Sequence, residues 1–183
     1  MARIEGSLSN RVTNILLREG AVVAGMVIDE QGATHERTPA QEQILNRLTN
    51  WYCPIILVEQ NPPLRLHTGN EAPRATRRTN QILRGAAGTN AKRVIKGYFN
   101  AMVQTDLAEK LHAYNVEYVV IMGQQTNCCV RCTAIGAPDI DRNAHPGLVQ
   151  AGFRVLSALE IMYSTAPGAD FIGHPQVEIY TLL

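Results

Sequence analysis

The chain has 183 residues, of which 45% are hydrophobic and 18% charged, and its formal net charge is +1. These values describe a single globular domain with room for a proper core, and they exclude the strong positive field that draws proteins to nucleic acid or anionic membranes. No apolar run approaches the about 18 residues that a bilayer span needs, and the opening residues have no apolar stretch of the signal-peptide kind, so a cytoplasmic protein is expected.

In chain order, Val12, Ile15, Leu16 and Leu17 suggest a helical extension within residues 1–20. Val22 to Ile28 is a continuous, partly β-branched apolar run, which predicts a strand buried on both faces and ending at Asp29. Thr38-Pro39 reads as an N-cap followed by proline at the first helical position. Ile44, Leu45, Leu48, Trp51 and Tyr52 then keep the spacing of an amphipathic helix. A second buried strand runs over Cys53–Val58 and is closed by Asn61-Pro62-Pro63.

Residues 64–92 are irregular, with Arg65, Arg74, Arg77, Arg78, Arg84 and Lys92 interrupted by Gly85 and Gly88. This stretch suits a solvated helix face, or contact with an anionic ligand or a neighbouring subunit. Arg93–Ile95 is a short strand stopped by Lys96-Gly97, and Thr105-Asp106 opens a helix holding Leu107 and Leu111, with Asp106 at its positive end. Tyr118–Met122 is another buried strand, with Gly123 at its carboxyl end and a helix over about residues 129–136. Residues 153–159 and 177–182 supply the last two strands. Solid apolar strands alternating with helices predict one α/β domain over 1–183, a three-layer α/β/α sandwich with a mainly parallel central sheet.

Ligands of open parallel sheets bind at the carboxyl ends of the strands. Asp29, Lys96 and Cys129 stand at or just past such ends. A carboxylate, an amine and a thiol converging there make a nucleophilic site. The thiolate is the attacking species, the carboxylate accepts its proton, and the helix end lowers the thiol pKa. Each residue also has a plain reading, as a turn aspartate, a surface lysine and a buried small side chain. Of the four cysteines, Cys53, Cys128, Cys129 and Cys132, three fall within five residues, which is no disulfide framework. Cys129-x-x-Cys132 has redox spacing but leaves Asp29 and Lys96 without a role, and His112 and His145 show no zinc-finger spacing.

The segment Gly123-Gln124-Gln125-Thr126-Asn127-Cys128-Cys129-Val130-Arg131-Cys132-Thr133-Ala134 resembles the Gly-x-x-Thr-x-x-Cys-Val-x-x-Thr-Ala signature of the isochorismatase-like cysteine hydrolases. Lys96 to Leu107 is similar to that family's Lys-x-x-x-Ser-Ala-Phe-x-x-Thr-Asp-Leu, and Val27-Ile28-Asp29-Glu30-Gln31 to its Val-Ile-Asp-Met-Gln. The three motifs keep the family's order. The resemblance implies an Asp29–Lys96–Cys129 triad, a cis peptide between Gln124 and Gln125, and an oxyanion hole made by the backbone amides of Gln125 and Cys129. It also implies that Gln31, Asn100, Gln124 and Thr126 lie near the substrate, and that the chain assembles as a homo-oligomer around a small-molecule site.

Nicotinamidases of the family hold a metal through an Asp-x-His pair, where this chain has Val58-Glu59-Gln60-Asn61. No metal and no cofactor are therefore expected, Glu59 with His67 being the remaining candidate pair. The family's Gln-Asn-Asp-Phe continuation is replaced by Gln31-Gly32-Ala33-Thr34, and its C-terminal helix is shortened to about residues 164–174. The favoured activity is a metal-free hydrolysis of a small carboxamide or carbamoyl compound through a thioester. The alternatives are an isochorismatase-type vinyl-ether hydrolase and a non-catalytic fold relative that acts as a binding protein. A reactive Cys129 of lowered pKa, alkylated ahead of Cys53, separates the enzyme from the binding protein.

Overall fold

A computed structural model describes residues 4–60, 78–163 and 174–182. Its strands are β1 (Val22–Ile28), β2 (Ile55–Gln60), β3 (Lys92–Lys96), β4 (Val116–Gln124), β5 (Arg154–Ala158), β6 (Met162–Tyr163) and β7 (Val177–Tyr180). They form one sheet in the order β3-β2-β1-β4-β5-β7, with β6 paired to the far end of β4, and every pairing is parallel. The helices are α1 (Leu8–Asn14), α2 (Thr38–Asn50), α3 (Gln81–Ala87), α4 (Leu107–Ala113) and α5 (Arg131–Ile135).

Alternation along the strands divides the core in two. Val23 and Val27 of β1 face a cluster with Leu8 and Val12 of α1, Ile15 directly after it, Leu45 and Leu48 of α2, and Leu83 of α3. Ala24, Met26 and Ile28 face the other way, against Leu107 and Leu111 of α4, Val130 just before α5 and Ala134 within it. The result is a parallel sheet covered by helices on both faces. Helix α1 belongs to the main core: Leu8, Val12 and Ile15 are buried, Ser7 caps it through the Asn10 N–H at 3.2 Å, and the Leu8 N–H donates to Thr181 O at 2.7 Å. No helix among the described residues is long and apolar enough to cross a membrane.

Several boundaries differ from the sequence reading, each for a local reason. Thr38 is the first residue of α2 rather than its cap, because its hydroxyl accepts the His35 N–H at 3.0 Å. The helix stops at Asn50, which leaves Trp51 partly exposed and Tyr52 almost wholly so, at a φ of 57°. Strand β2 continues to Gln60, because Glu59 and Gln60 pair with Ile95 and Lys96 of β3. Strand β4 passes through Gly123 to Gln124 because β6, which the residue pattern did not announce, pairs with both. Asp106 precedes α4 but makes no side-chain cap; the Thr105 hydroxyl accepts the Leu107 N–H, and Asp106 pairs with Lys110. Helix α3 falls in the stretch read as irregular, its first turn capped by the Asn80 side chain on the Leu83 N–H at 3.0 Å. Asn61-Pro62-Pro63, His67, Arg65, Arg74, Arg77 and the segment 164–173 lie outside the described residues.

Candidate active site

Strand order reverses between β1 and β4, so their carboxyl ends flank the crevice in which open α/β sheets bind ligands. Asp29 follows β1 with a φ of 56°, a left-handed conformation that aspartate tolerates better than most residues. Lys96 is the last residue of β3 and, two positions after Val94, lies on the α4 and α5 face. Its side chain is fully buried and its ammonium reaches Asp29 Oδ2 at 2.8 Å. The carbonyls of Tyr98 and Phe99 accept from the same Nζ, each at 3.2 Å. Burial works to strip the Lys96 proton, but Asp29 and Cys129 outweigh it and hold the ammonium above the ordinary lysine range. Asp29 Oδ1 is buried without a hydrogen-bond partner among the described residues.

Cys129 lies in a wide π-type turn, Thr126–Val130, that leads directly into α5. The turn begins after the Gln124–Gln125 peptide, which is cis. The Gln125 carbonyl accepts the N–H groups of Cys128 and Val130 at 3.0 and 3.2 Å, which winds the chain so that Cys129 faces inward at 5% exposure. The Cys129 thiol is linked to Cys128 and sits in the fields of Asp29 and Lys96. The hydrogen bond with Cys128, then burial, then the Asp29 carboxylate hold its pKa well above that of a free thiol, with Lys96 acting the other way. Cys128 is shifted down by the same hydrogen bond. This reverses the expectation of a lowered Cys129 pKa: the hydrogen bond with Cys128, then burial and the Asp29 carboxylate, outweigh Lys96.

The structure thus brings Asp29, Lys96 and Cys129 together. It gives the other expected residues mainly to the protein's own scaffold. Gln31 accepts the Gln60 N–H at 2.8 Å and donates to the Gln60 carbonyl at 3.4 Å. Asn100 is fully buried and donates to the carbonyls of His145 and Pro146 at 3.2 and 3.1 Å. Gln124 donates to the Asp29 carbonyl at 2.9 Å, and Thr126 is buried at the start of the turn.

Two site residues escaped the sequence reading. Asp139 is buried and accepts the Phe99 and Asn100 N–H groups at 2.9 and 2.7 Å, which shapes the loop whose carbonyls hold Lys96. Glu30, beside Asp29, is also fully buried. Its presence in the motif was the only signal, and that signal did not say which way the side chain turns.

Glu59, the candidate metal ligand, does not fit that role. Its carboxylate accepts the Thr79 N–H at 2.8 Å and the Thr79 hydroxyl at 3.0 Å, and it pairs with Arg93 and, at 3.9 Å, Arg78. Burial pushes this carboxyl up, but the Thr79 N–H and the Arg93 guanidinium outweigh it and hold it below the ordinary glutamate range. Among the described residues no group of three His, Cys, Asp or Glu side chains comes together to hold a metal ion.

Residues 23–145, more than half of the chain, match the family model described as the isochorismatase domain. Solved structures share the fold. N-carbamoylsarcosine amidase from Thermoplasma acidophilum superposes with a TM-score of 0.70 at 14% identity, covering 88% of this chain and 96% of that one. An isochorismatase family protein from Desulfovibrio vulgaris subsp. vulgaris str. Hildenborough gives 0.70 at 16% identity, covering 88% and 95%. Pyrazinamidase of Pyrococcus horikoshii, solved in complex with zinc, gives 0.65 at 19% identity, covering 87% and 98%. No curated protein gives a significant match.

Proposed function

The chain belongs to the isochorismatase family, and from that premise we propose that it is a cysteine hydrolase that cleaves the C–N bond of a small carboxamide or carbamoyl compound. The observation that carries this reading is the Lys96–Asp29 ion pair, buried at the sheet's switch point with Cys129 in its field. Burying an ammonium and a carboxylate is costly, and the cost is of the kind a reaction repays.

In this mechanism Asp29, paired with Lys96 at 2.8 Å, takes the proton from Cys129 as the thiolate attacks the carbonyl carbon. The Cys129 pKa suits this order of events, because a resting thiol keeps its proton until a base beside it removes it. The N–H groups of Gln125, just before the turn, and of Cys129, within it, stabilise the oxyanion, and Lys96 supplies positive charge nearby. The tetrahedral intermediate collapses with loss of ammonia or an amine, which takes its proton from Asp29 and leaves a thioester on Cys129. Water, deprotonated by Asp29, then releases the acid and restores the thiol. In this reading Gln31, Asn100 and Gln124 fix the main chain around the site through the contacts given above, and Thr126 opens the turn that carries Cys129.

The test is an ammonia-release screen with pyrazinamide, N-carbamoylsarcosine and other small carboxamides and carbamoyl compounds, with vinyl ethers as the contrasting class. Cys129→Ala is expected to abolish turnover of any amide found, and unchanged turnover would sink the acyl-enzyme scheme. Asp29→Asn keeps the left-handed backbone conformation, because asparagine also tolerates it. Its kcat is expected to fall by about 10²- to 10⁴-fold with the fold intact by circular dichroism.

A further inference from the structure

The mechanism above uses the first carboxylate after β1 and leaves the second unexplained. Asp29 turns to Lys96, whereas Glu30 turns to the other side of the sheet, toward α2, where it is fully buried. Its Oε1 accepts from Gln41 Nε2 at 2.7 Å. Its Oε2 accepts from His35 Nε2 at 2.6 Å and from Gln124 Nε2 at 3.5 Å. His35 Nδ1 accepts the Arg37 N–H at 3.1 Å, so the ring hydrogen lies on Nε2 and His35 donates to Glu30. Three donors therefore converge on two oxygens. Burial raises the Glu30 carboxyl above the ordinary range, against the hydrogen bonds from Gln41 and His35. A carboxylate in such a place is expensive to desolvate, and the cost is offset only because donors converge on both of its oxygens.

The residue to which this carboxylate reaches is informative. The Gln124 amide that touches Glu30 also donates to the Asp29 main-chain carbonyl at 2.9 Å. Gln124 itself immediately precedes Gln125, whose N–H is assigned above to the oxyanion. The backbone of Gln124 pairs with Tyr163 of β6, and the Tyr163 ring stacks on His35 with centroids 4.8 Å apart. Glu30, His35, Tyr163 and Gln124 thus close a ring of contacts on the α2 side of the β1 and β4 carboxyl ends, joined to Asp29 through its carbonyl.

We propose that Glu30 is a positioning residue of the hydrolytic site: by fixing the Gln124 amide it holds the Asp29 main chain and the Gln125 N–H in register with each other. The assignment rests on the roles given above to Asp29, Cys129 and Gln125. It requires an acceptor with two free oxygens at position 30, because His35, Gln41 and Gln124 all donate.

The test uses the full chain and p-nitrophenyl acetate as an activated acyl probe, with p-nitrophenolate release as the signal. Glu30→Gln keeps the size of the side chain but sets an NH₂ against converging donors, and Gln124→Leu cuts the same link from the other end. Each variant is expected to lose about tenfold in kcat with KM within about twofold, and the double variant to lose no more than about twofold beyond the worse single one. If Glu30→Gln does not fold, Glu30→Met is read in its place, with the same expectation. A kcat within about twofold of wild type, or losses that multiply in the double variant, would overturn the positioning role. Cys129→Ala separates this failure from a deeper one. If that variant keeps the wild-type rate, or the wild type shows no Cys129-dependent release, the cysteine reading has failed and the role of Glu30 falls with it.

Discussion

At the scale of single residues, the environments of the four thiols differ enough to be told apart chemically. Burial pushes Cys53 up to about 11, and burial with its neighbours pushes Cys132 up to about 12. Cys128 and Cys129 hydrogen-bond each other, and Lys96 acts on both, so between them they hold the proton least firmly at Cys128. Brief treatment with iodoacetamide near neutral pH is therefore expected to modify Cys128 well before Cys53 or Cys132, read by peptide mass spectrometry. Labelling at Cys53 at the same rate would mean that the hydrogen bond with Cys129, aided by Lys96, does not lower the Cys128 thiol. The redox spacing of Cys129 and Cys132 has less to recommend it, because Cys132 points its Sγ at the Pro138 carbonyl, 3.6 Å away.

At the scale of elements, the site depends on how closely β1 and β4 approach at their carboxyl ends. Gly123 pairs with Ile28 in register and has a φ of +133°. A Cβ there would lie 2.1 Å from the Ile28 carbonyl oxygen, a clash with backbone that no rotamer relieves. Gly123→Ala is expected to cost at least about 3 kcal/mol and to separate Asp29 from Cys129, so activity falls with stability. Gly85 in α3 is the control, because nothing lies within 4 Å of its added Cβ and a helix interior favours alanine. Gly85→Ala is expected to stabilise by about 0.5–1 kcal/mol in urea denaturation, with no change in activity. Equal effects from the two substitutions would show that the Ile28 contact does not constrain the strands.

At the scale of the whole molecule, two charge networks tie sequence-distant parts together at opposite ends of the sheet. Arg11 of α1 and Arg154 of β5 flank the Tyr118 ring at 5.5 and 4.7 Å and both pair with Glu178 of β7. Glu59 of β2 draws in Arg93 of β3 and the Thr79 N–H just before α3. Glu59 and Glu178 are both held below the ordinary value of 4.5, burial being outweighed by their partners. The native state thus binds fewer protons than the unfolded chain, so this stability is complete above 4.5 and is lost as pH falls through the folded values. Wild type is expected to lose more stability than Glu59→Gln between neutral pH and about pH 3.5, measured by urea midpoints. At neutral pH the variant should be weaker by about 1–3 kcal/mol, the cost of leaving the Thr79 N–H poorly satisfied. A gap between the two proteins that stays constant with pH would remove Glu59 from the acid response.

Much of this protein was legible from its residues alone, and the legible part has a common character. Val22–Ile28, Tyr118–Met122 and the other apolar runs announced a parallel sheet, because strands buried on both faces leave no polar alternation to hide them. Asp29 and Lys96 stood out at strand ends, but it was their place with Cys129 in three ordered motifs that singled out all three. What the sequence could not say is where side chains go once elements are packed. Gln31, Asn100 and Gln124 stand in the same motifs as Asp29, Lys96 and Cys129, and each amide binds main-chain atoms, a choice made by neighbours far along the chain such as Gln60 and His145. The pKa of Cys129 turned on its hydrogen bond with Cys128 and then on burial and Asp29, and the pairing of Gly123 and Gln124 on β6, some forty residues later. Period and composition determine which face of an element is apolar. Which acceptor meets which donor is decided only when the sheet closes, because hydrogen bonds and desolvation depend on distances of a few ångströms between residues that the sequence leaves far apart.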